Sequence, residues 1–214
     1  EKSGETDDGT FYALESKIRS ASSWDTIYLE NYICVKEKNM SKIGVLISQE
    51  EISKRIAEMG EQISKDYKDT EELVLICVLK GSVYITCELS RSITVPVVLD
   101  FMSVSSYGNE RESSGRVRIL KDLDESIEGK DVLIIEDIID SGRTLQYLYE
   151  MLKSRNPKSV KICTLLDKPD RRIPESKISV DYTGFVIPDK FVVGYGLDDR
   201  QKNRNLPYIG VVED

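Results

Sequence analysis

The chain has 214 residues, about 1.4 times a 150-residue reference length, so a single domain is the expectation. Its 40% hydrophobic and 32% charged content is that of a globular protein with enough apolar side chains for a sizeable core, which excludes fibrous and disordered classes. Thirty basic against 38 acidic residues give a net charge of −8, a balance without general attraction for nucleic acid or an anionic membrane, and with no histidine the chain cannot run Ser-His-Asp or Cys-His catalysis or ligate zinc through imidazole.

The four cysteines, Cys34, Cys77, Cys87 and Cys163, form no CxxC pair and read as reduced, packed thiols. No segment has the roughly 18 consecutive apolar residues of a membrane span, and no basic-then-apolar leader opens the chain, so a soluble, cytoplasmic protein is expected. Residues 1–39 begin with an aperiodic polar run, and only Thr26 to Val35 carries enough apolar character for one strand. Met40-Ser41-Lys42 then reads like a start, which divides the chain into an extension of unknown role, 1–39, and a domain, 40–214.

From there the pattern sharpens. Ser48-Gln49-Glu50-Glu51 is a capping box, and Ile52, Ile56, Met59 and Ile63 follow at helical spacing, predicting a helix over 49–66. Leu73 to Leu79 (LVLICVL) reads as a strand buried on both faces and ends at Lys80-Gly81. Val83 to Ser92 is helical in character, Val95 to Met102 is a second strand, and Ser103 to Gly115 is polar without core pattern. Val132 to Ile135 is another buried strand, Leu145, Leu148 and Leu152 mark a helix, and Val160 to Leu166 a further strand. Val180 to Val186 and Phe191 to Val193 complete the apolar segments. Strands alternating with helices predict an α/β fold with a mostly parallel sheet.

Ligands of such sheets bind at the carboxyl ends of strands, and one of these ends is outstanding. The strand Val132 to Ile135 runs into Glu136-Asp137-Ile138-Ile139-Asp140-Ser141-Gly142-Arg143-Thr144-Leu145. The Ser/Gly/Thr loop offers backbone N–H groups, two hydroxyls and the positive end of a helix dipole, all suited to a phosphate monoester. Gly142 lets the backbone approach an anion, and Glu136 and Asp137 can accept hydrogen bonds from a vicinal diol such as ribose. Three acids in five residues beside an anion-binding loop need a compensating ligand or cation. Walker A spacing is excluded because Asp137, not glycine, stands five positions before Gly142, and Gly194-Tyr195-Gly196 lacks the third glycine of a dinucleotide fingerprint.

The segment Glu136 to Thr144 resembles the signature of the type I phosphoribosyltransferases, and the surrounding features resemble their hypoxanthine-guanine branch, from about Lys42 to the C-terminus. The resemblance implies the family's fold, a mostly parallel central sheet flanked by helices with a small hood and a flexible catalytic loop. It implies Mg2+-dependent transfer of 5-phosphoribosyl from phosphoribosyl pyrophosphate to N9 of a 6-oxopurine, and hence purine salvage by a homodimer or homotetramer. By the same resemblance Glu136 and Asp137 hold the ribose hydroxyls near the metal, and Asp140, Ser141, Gly142, Arg143 and Thr144 cradle the 5-phosphate. Asp140 also takes the place of the general acid/base at N7, a role that suits a carboxylate.

Leu79-Lys80-Gly81 matches the pyrophosphate loop, whose Leu-Lys peptide is cis in the family, and Arg204 matches the arginine that contacts pyrophosphate. Ser105-Ser106-Tyr107-Gly108 matches the loop that closes over the reaction centre and excludes water, with Ser106 and Tyr107 as lid residues. Lys168 corresponds to the donor to purine O6, which disfavours adenine; Phe191 corresponds to the aromatic that stacks on the base, and Val192 to the backbone contact with its edge. Asp198 matches the magnesium-binding aspartate. Arg143 departs from the lysine of some members. Two other readings share the scaffold: an RNA-binding regulator, disfavoured by the acidic pI near 4.9 and the Asp140-Ser141 pairing, and an enzyme that prefers xanthine.

Overall fold

The strand Leu73–Leu79 is apolar at every position, and the stretch Val132–Ile135 likewise, because both are covered on two sides. In the computed structural model, which describes residues 43–106, 117–174 and 176–212, the main sheet has six strands in the order β4-β3-β2-β5-β6-β7. They are β2 (Leu73–Leu79), β3 (Val97–Ser106), β4 (Val117–Lys121), β5 (Asp131–Ile139), β6 (Ser159–Asp167) and β7 (Tyr182–Val186). Every neighbouring pair is parallel except β3 with β4. Alternate residues of β2 and β5 serve opposite layers: Leu73, Leu75, Leu133 and Ile135 in one core, Val74, Ile76, Val78, Val132 and Ile134 in the other.

The first core packs against α1 (Gln49–Asp66) and α2 (Val83–Ser92) through Ile52, Ile56, Met59, Ile63, Ile85 and Leu89. The second packs against α3 (Arg143–Lys153) through Leu145, Leu148 and Leu152. The capping box of α1 forms as expected: Glu51 N donates to Ser48 Oγ at 3.2 Å and Ser48 N donates to the Glu51 carboxylate at 2.8 Å. A second sheet, in the order β1 (Ile43–Ile47), β9 (Ile209–Val212) and β8 (Val192–Val193), supplies the small hood. Residues 45–212 form one compact unit.

Cys77 and Cys163 are buried and free, their thiols pushed up to about 11 and about 12 chiefly by burial, and Cys87 is free and exposed. Cys34 lies outside the described residues. No helix among the described residues is long and apolar enough to cross a membrane.

Several boundaries differ from the sequence expectation. β3 starts at Val97, because Pro96 has no N–H for the ladder, and its carbonyl instead accepts from Leu73 N at 2.9 Å. It then runs four residues past Met102, since Ser103 to Ser106 pair antiparallel with β4. β4 was missed although Val117, Ile119 and Lys121 are half-buried between exposed Arg118 and Leu120, the two-residue period of a strand. β1 and β9 were missed as well; each is short, and they pair with one another from opposite ends of the domain, β9 also pairing antiparallel with β8. β5 extends to Ile139, so Glu136 and Asp137 sit within the strand's last half rather than beyond its tip.

Candidate active site

The carboxyl ends of β2 and β5, which are adjacent and parallel, open into a cleft of about 320 Å³. It is lined by Leu79, Lys80 and Gly81 at the end of β2, by Glu136 and Asp137 of β5, by Asp140, Ser141 and Gly142 of the β5–α3 turn with Thr144 of α3, and by Asp198 and Arg204 from the loop between β8 and β9. Only Asp140, Ser141 and Gly142 separate β5 from α3. Gly142 is the helix N-cap and lies in the left-handed region at φ 79°, where a side chain would be strained. The turn therefore delivers the first-turn N–H groups of an 11-residue helix to the cleft. Gly81 is required by contact: a Cβ there would overlap Asp137 Oδ2. The Leu79–Lys80 peptide is cis.

The electrostatics are unbalanced. Burial pushes the Glu136 carboxyl well above its ordinary range and the neighbouring Asp137 charge adds to it, with a single opposing hydrogen bond from Ser82 Oγ at 3.4 Å. Burial likewise pushes Asp137 up to about 6, against its backbone hydrogen bonds, including Ile138 N at 2.7 Å, and the Arg204 charge; the Asp198 charge raises it further. Across the cleft Arg204 pairs with Asp198 at 2.6 Å and donates to the Gly196 carbonyl at 2.7 Å. Gln201 binds this group together: its backbone N–H donates to Asp198 at 2.7 Å, and its side-chain oxygen accepts from Lys80 and Arg204 at 3.3 Å each.

A phosphoribosyl transferase domain matches residues 46–200, the stretch that builds this cleft up to the loop holding Asp198. The chain belongs to the phosphoribosyltransferase family. It is 54% identical over 169 residues to a hypoxanthine-guanine phosphoribosyltransferase of Bacillus subtilis, covering 79% of this chain and 92% of that one. Identity is also 54%, over 171 residues, to a hypoxanthine phosphoribosyltransferase of Salmonella typhimurium, covering 79% and 95%. Among solved structures, a hypoxanthine-guanine phosphoribosyltransferase from Bacillus anthracis superposes with a TM-score of 0.76 at 47% identity, over 80% of this chain and 99% of that chain.

Against this phosphoribosyltransferase cleft the expected site residues fall into three groups. The ribose, phosphate and pyrophosphate set comes together in it, apart from Arg143, which is exposed at the first position of α3. Lys168, Phe191 and Val192 do not line the cleft. Lys168 follows β6, is buried to 6% exposure, and its backbone N–H donates to the Ile139 carbonyl at 3.0 Å, which fixes it beside the β5–α3 turn. Phe191 is 57% exposed and Val192 is buried in β8. Of the lid residues, Ser106 ends β3, and Tyr107 lies outside the described residues.

Sequence reasoning missed the groups that connect the first two sets. Arg171 pairs with Asp140 at 3.1 Å and with Asp189 at 3.5 Å, and Asp189 lies 3.9 Å from the Lys168 ammonium. Arg172 donates to the Asp140 carbonyl at 2.7 Å and pairs with Asp167 at 2.6 Å. The signal available was their place, two adjacent arginines just after a strand's carboxyl end.

Proposed function

We propose that the chain transfers the 5-phosphoribosyl group of phosphoribosyl pyrophosphate to N9 of hypoxanthine or guanine, giving IMP or GMP and pyrophosphate. The observation that carries this reading is the convergence on one cleft of an anion-binding helix start, two desolvated carboxylates and two cations, with a buried lysine held next to it.

The N-terminus of α3, with Ser141 and Thr144, takes the 5-phosphate. Glu136 and Asp137 accept from the ribose hydroxyls. Lys80 and Arg204 leave the Gln201 oxygen for pyrophosphate oxygens, a stronger acceptor of the same kind. Lys168 donates to purine O6, which adenine, with an amino donor there, does not satisfy. Asp140 accepts from N7, and this favours the tautomer whose N9 lone pair is free. As the N9–C1′ bond forms, the C1′–oxygen bond to pyrophosphate breaks and the base proton passes to Asp140. Phe191, exposed in the free chain, covers the base, Val192 meets its edge, and Ser106 and Tyr107 belong to the loop that excludes water.

The donor set fits magnesium. Glu136, Asp137 and Asp198 offer hard oxygens at one end of the cleft, and the raised carboxyls of the first two mark a deficit of positive charge. Among the described residues no three such side chains form a complete metal site, so these carboxylates would hold the ion only together with oxygens of the substrate. When bound, Mg2+ offsets the charge of the departing pyrophosphate. We assign residues 40–214 to the catalytic domain and 1–39 to an extension outside it, and the active form to a cytoplasmic homodimer or homotetramer with no nucleic-acid or membrane partner.

The test is initial rate with magnesium phosphoribosyl pyrophosphate and hypoxanthine, guanine, xanthine, adenine or uracil supplied separately. Hypoxanthine and guanine are turned over while adenine and uracil are silent. Turnover of uracil alone, or of no base, would overturn the reading.

A further inference from the structure

Asp140 and Lys168 are tied together by two groups that neither the phosphate loop nor the base site accounts for. Signs alternate along the chain of contacts: Lys168 ammonium, Asp189 carboxylate, Arg171 guanidinium, Asp140 carboxylate. Each middle member uses two different atoms. Asp189 presents Oδ1 to Lys168 and Oδ2 to Arg171; Arg171 presents one terminal nitrogen to Asp189 and Nε to Asp140 Oδ1. Among the described residues Asp140 Oδ2 takes no hydrogen bond, so the contact fixes the carboxylate's rotation and leaves one oxygen for a ligand. The backbone is fixed as well: Arg171 N donates to the Lys168 carbonyl at 3.1 Å within the turn Pro169–Arg171, and Arg172 holds the Asp140 carbonyl.

The purpose follows from the shape of the ligand. O6 and N7 of a 6-oxopurine are neighbours on one edge, so reading both takes a donor and an acceptor at a set separation. Asp140 is about half exposed, and a half-exposed carboxylate rotates freely unless it is held. Misplacing a reacting group by an ångström costs on the order of a hundredfold in rate.

We propose that Arg171, steadied by Asp189, is a positioning residue that sets the Asp140 carboxylate against the Lys168 ammonium, so that the two read the O6/N7 edge of the purine as one unit. The proposal rests on the functional reading above and extends it to residues outside the cleft lining. Only a guanidinium spans both carboxylates, because its donors point in different directions, whereas an ammonium is one point.

The experiment is steady-state kinetics of the full chain and of Arg171→Gln, Arg171→Lys, Asp140→Asn and the Asp140→Asn/Arg171→Gln double variant, with hypoxanthine and phosphoribosyl pyrophosphate varied in turn. Arg171→Gln lowers kcat/KM for hypoxanthine about tenfold, the scale of one lost hydrogen bond to a charged group, and leaves KM for phosphoribosyl pyrophosphate within about twofold. In the Asp140→Asn background the same substitution changes the rate by less than about twofold, because the group it positions is gone. Arg171→Lys recovers less than half of the loss. An equal loss in the two backgrounds, a parallel rise in KM for phosphoribosyl pyrophosphate, or full recovery with lysine would overturn the proposal. A wild-type chain that turns over no 6-oxopurine would overturn the functional reading, and this proposal with it.

Discussion

The two ends of β5 carry the same kind of residue in opposite circumstances. At its start Asp131 is buried, but Lys158 at 2.7 Å, Ser159 at 2.6 Å and Thr70 at 3.0 Å all reach its carboxylate. Burial alone would raise Asp131; these three partners and the Lys158 charge outweigh it and hold the carboxyl below its ordinary range. At the far end burial pushes up both Glu136 and Asp137, with the Asp137 charge adding to the first and the Asp198 charge to the second. Nine residues of one strand thus hold a solved electrostatic problem and an unsolved one. The unsolved end lines the cleft, the arrangement expected where the missing partners come from a ligand.

The largest effect that sharpens this contrast is on rate. Asp140→Asn is expected to lower kcat by about 10²–10⁴-fold, the usual contribution of a positioned acid/base, while GMP binding, measured by calorimetry, stays within a few-fold. A loss of GMP binding without a comparable fall in turnover would make Asp140 a binding residue only.

Next comes stability at the unsolved end. Because Asp137 has a folded value of about 6, above its ordinary 3.8, the folded state holds that proton more tightly than the unfolded chain does. The charge therefore destabilises the ligand-free fold fully above about pH 6, and the penalty is relieved as pH falls from there toward about 4. Asp137→Asn should then raise unfolding free energy at pH 8 by about 1–2 kcal/mol, vanish as a difference near pH 4, and abolish most activity. Denaturant titrations at the two pH values check it; a destabilised variant at pH 8 would break the comparison.

The solved end gives the opposite sign. Asp131→Asn should lower stability at pH 7 by about 1–2 kcal/mol, because Lys158 loses its charged partner, and leave kcat/KM within about twofold. Since the Asp131 value is depressed, its contribution is present above the unfolded value near 3.9 and is lost as pH falls below it, so the difference should fade in acid. Smallest is Ser48→Ala, which removes one half of the α1 capping box. It should cost about 1 kcal/mol of unfolding free energy near neutral pH and nothing in rate.

Much of this was legible in the sequence because local chemistry repeats itself. The run LVLICVL fitted a strand covered on both faces, the capping box placed the start of α1, and the crowding of acids before Ser141-Gly142-Arg143-Thr144 marked a strand end with an anion-binding turn. β1 and β9 were not legible, since each is four or five residues long and they pair with one another from opposite ends of the domain; β4, the antiparallel neighbour of β3, carried a two-residue period over only five residues.

The site divides in the same way. The sequence by itself determined which residue types meet at the end of β5, because Asp140 to Thr144 are consecutive and their turn is dictated by Gly142. Only the tertiary structure decided that Gly81 touches Asp137, that Gln201 gathers Lys80, Arg204 and Asp198, and that Arg171 and Asp189 join Asp140 to Lys168. These are contacts between separate loops: those after β2, β5, β6 and β7 meet because parallel strands place their carboxyl ends on one edge of the sheet, and the loop between β8 and β9 brings Asp198, Gln201 and Arg204 to the same cleft. No periodicity along the chain records which loops will face one another there.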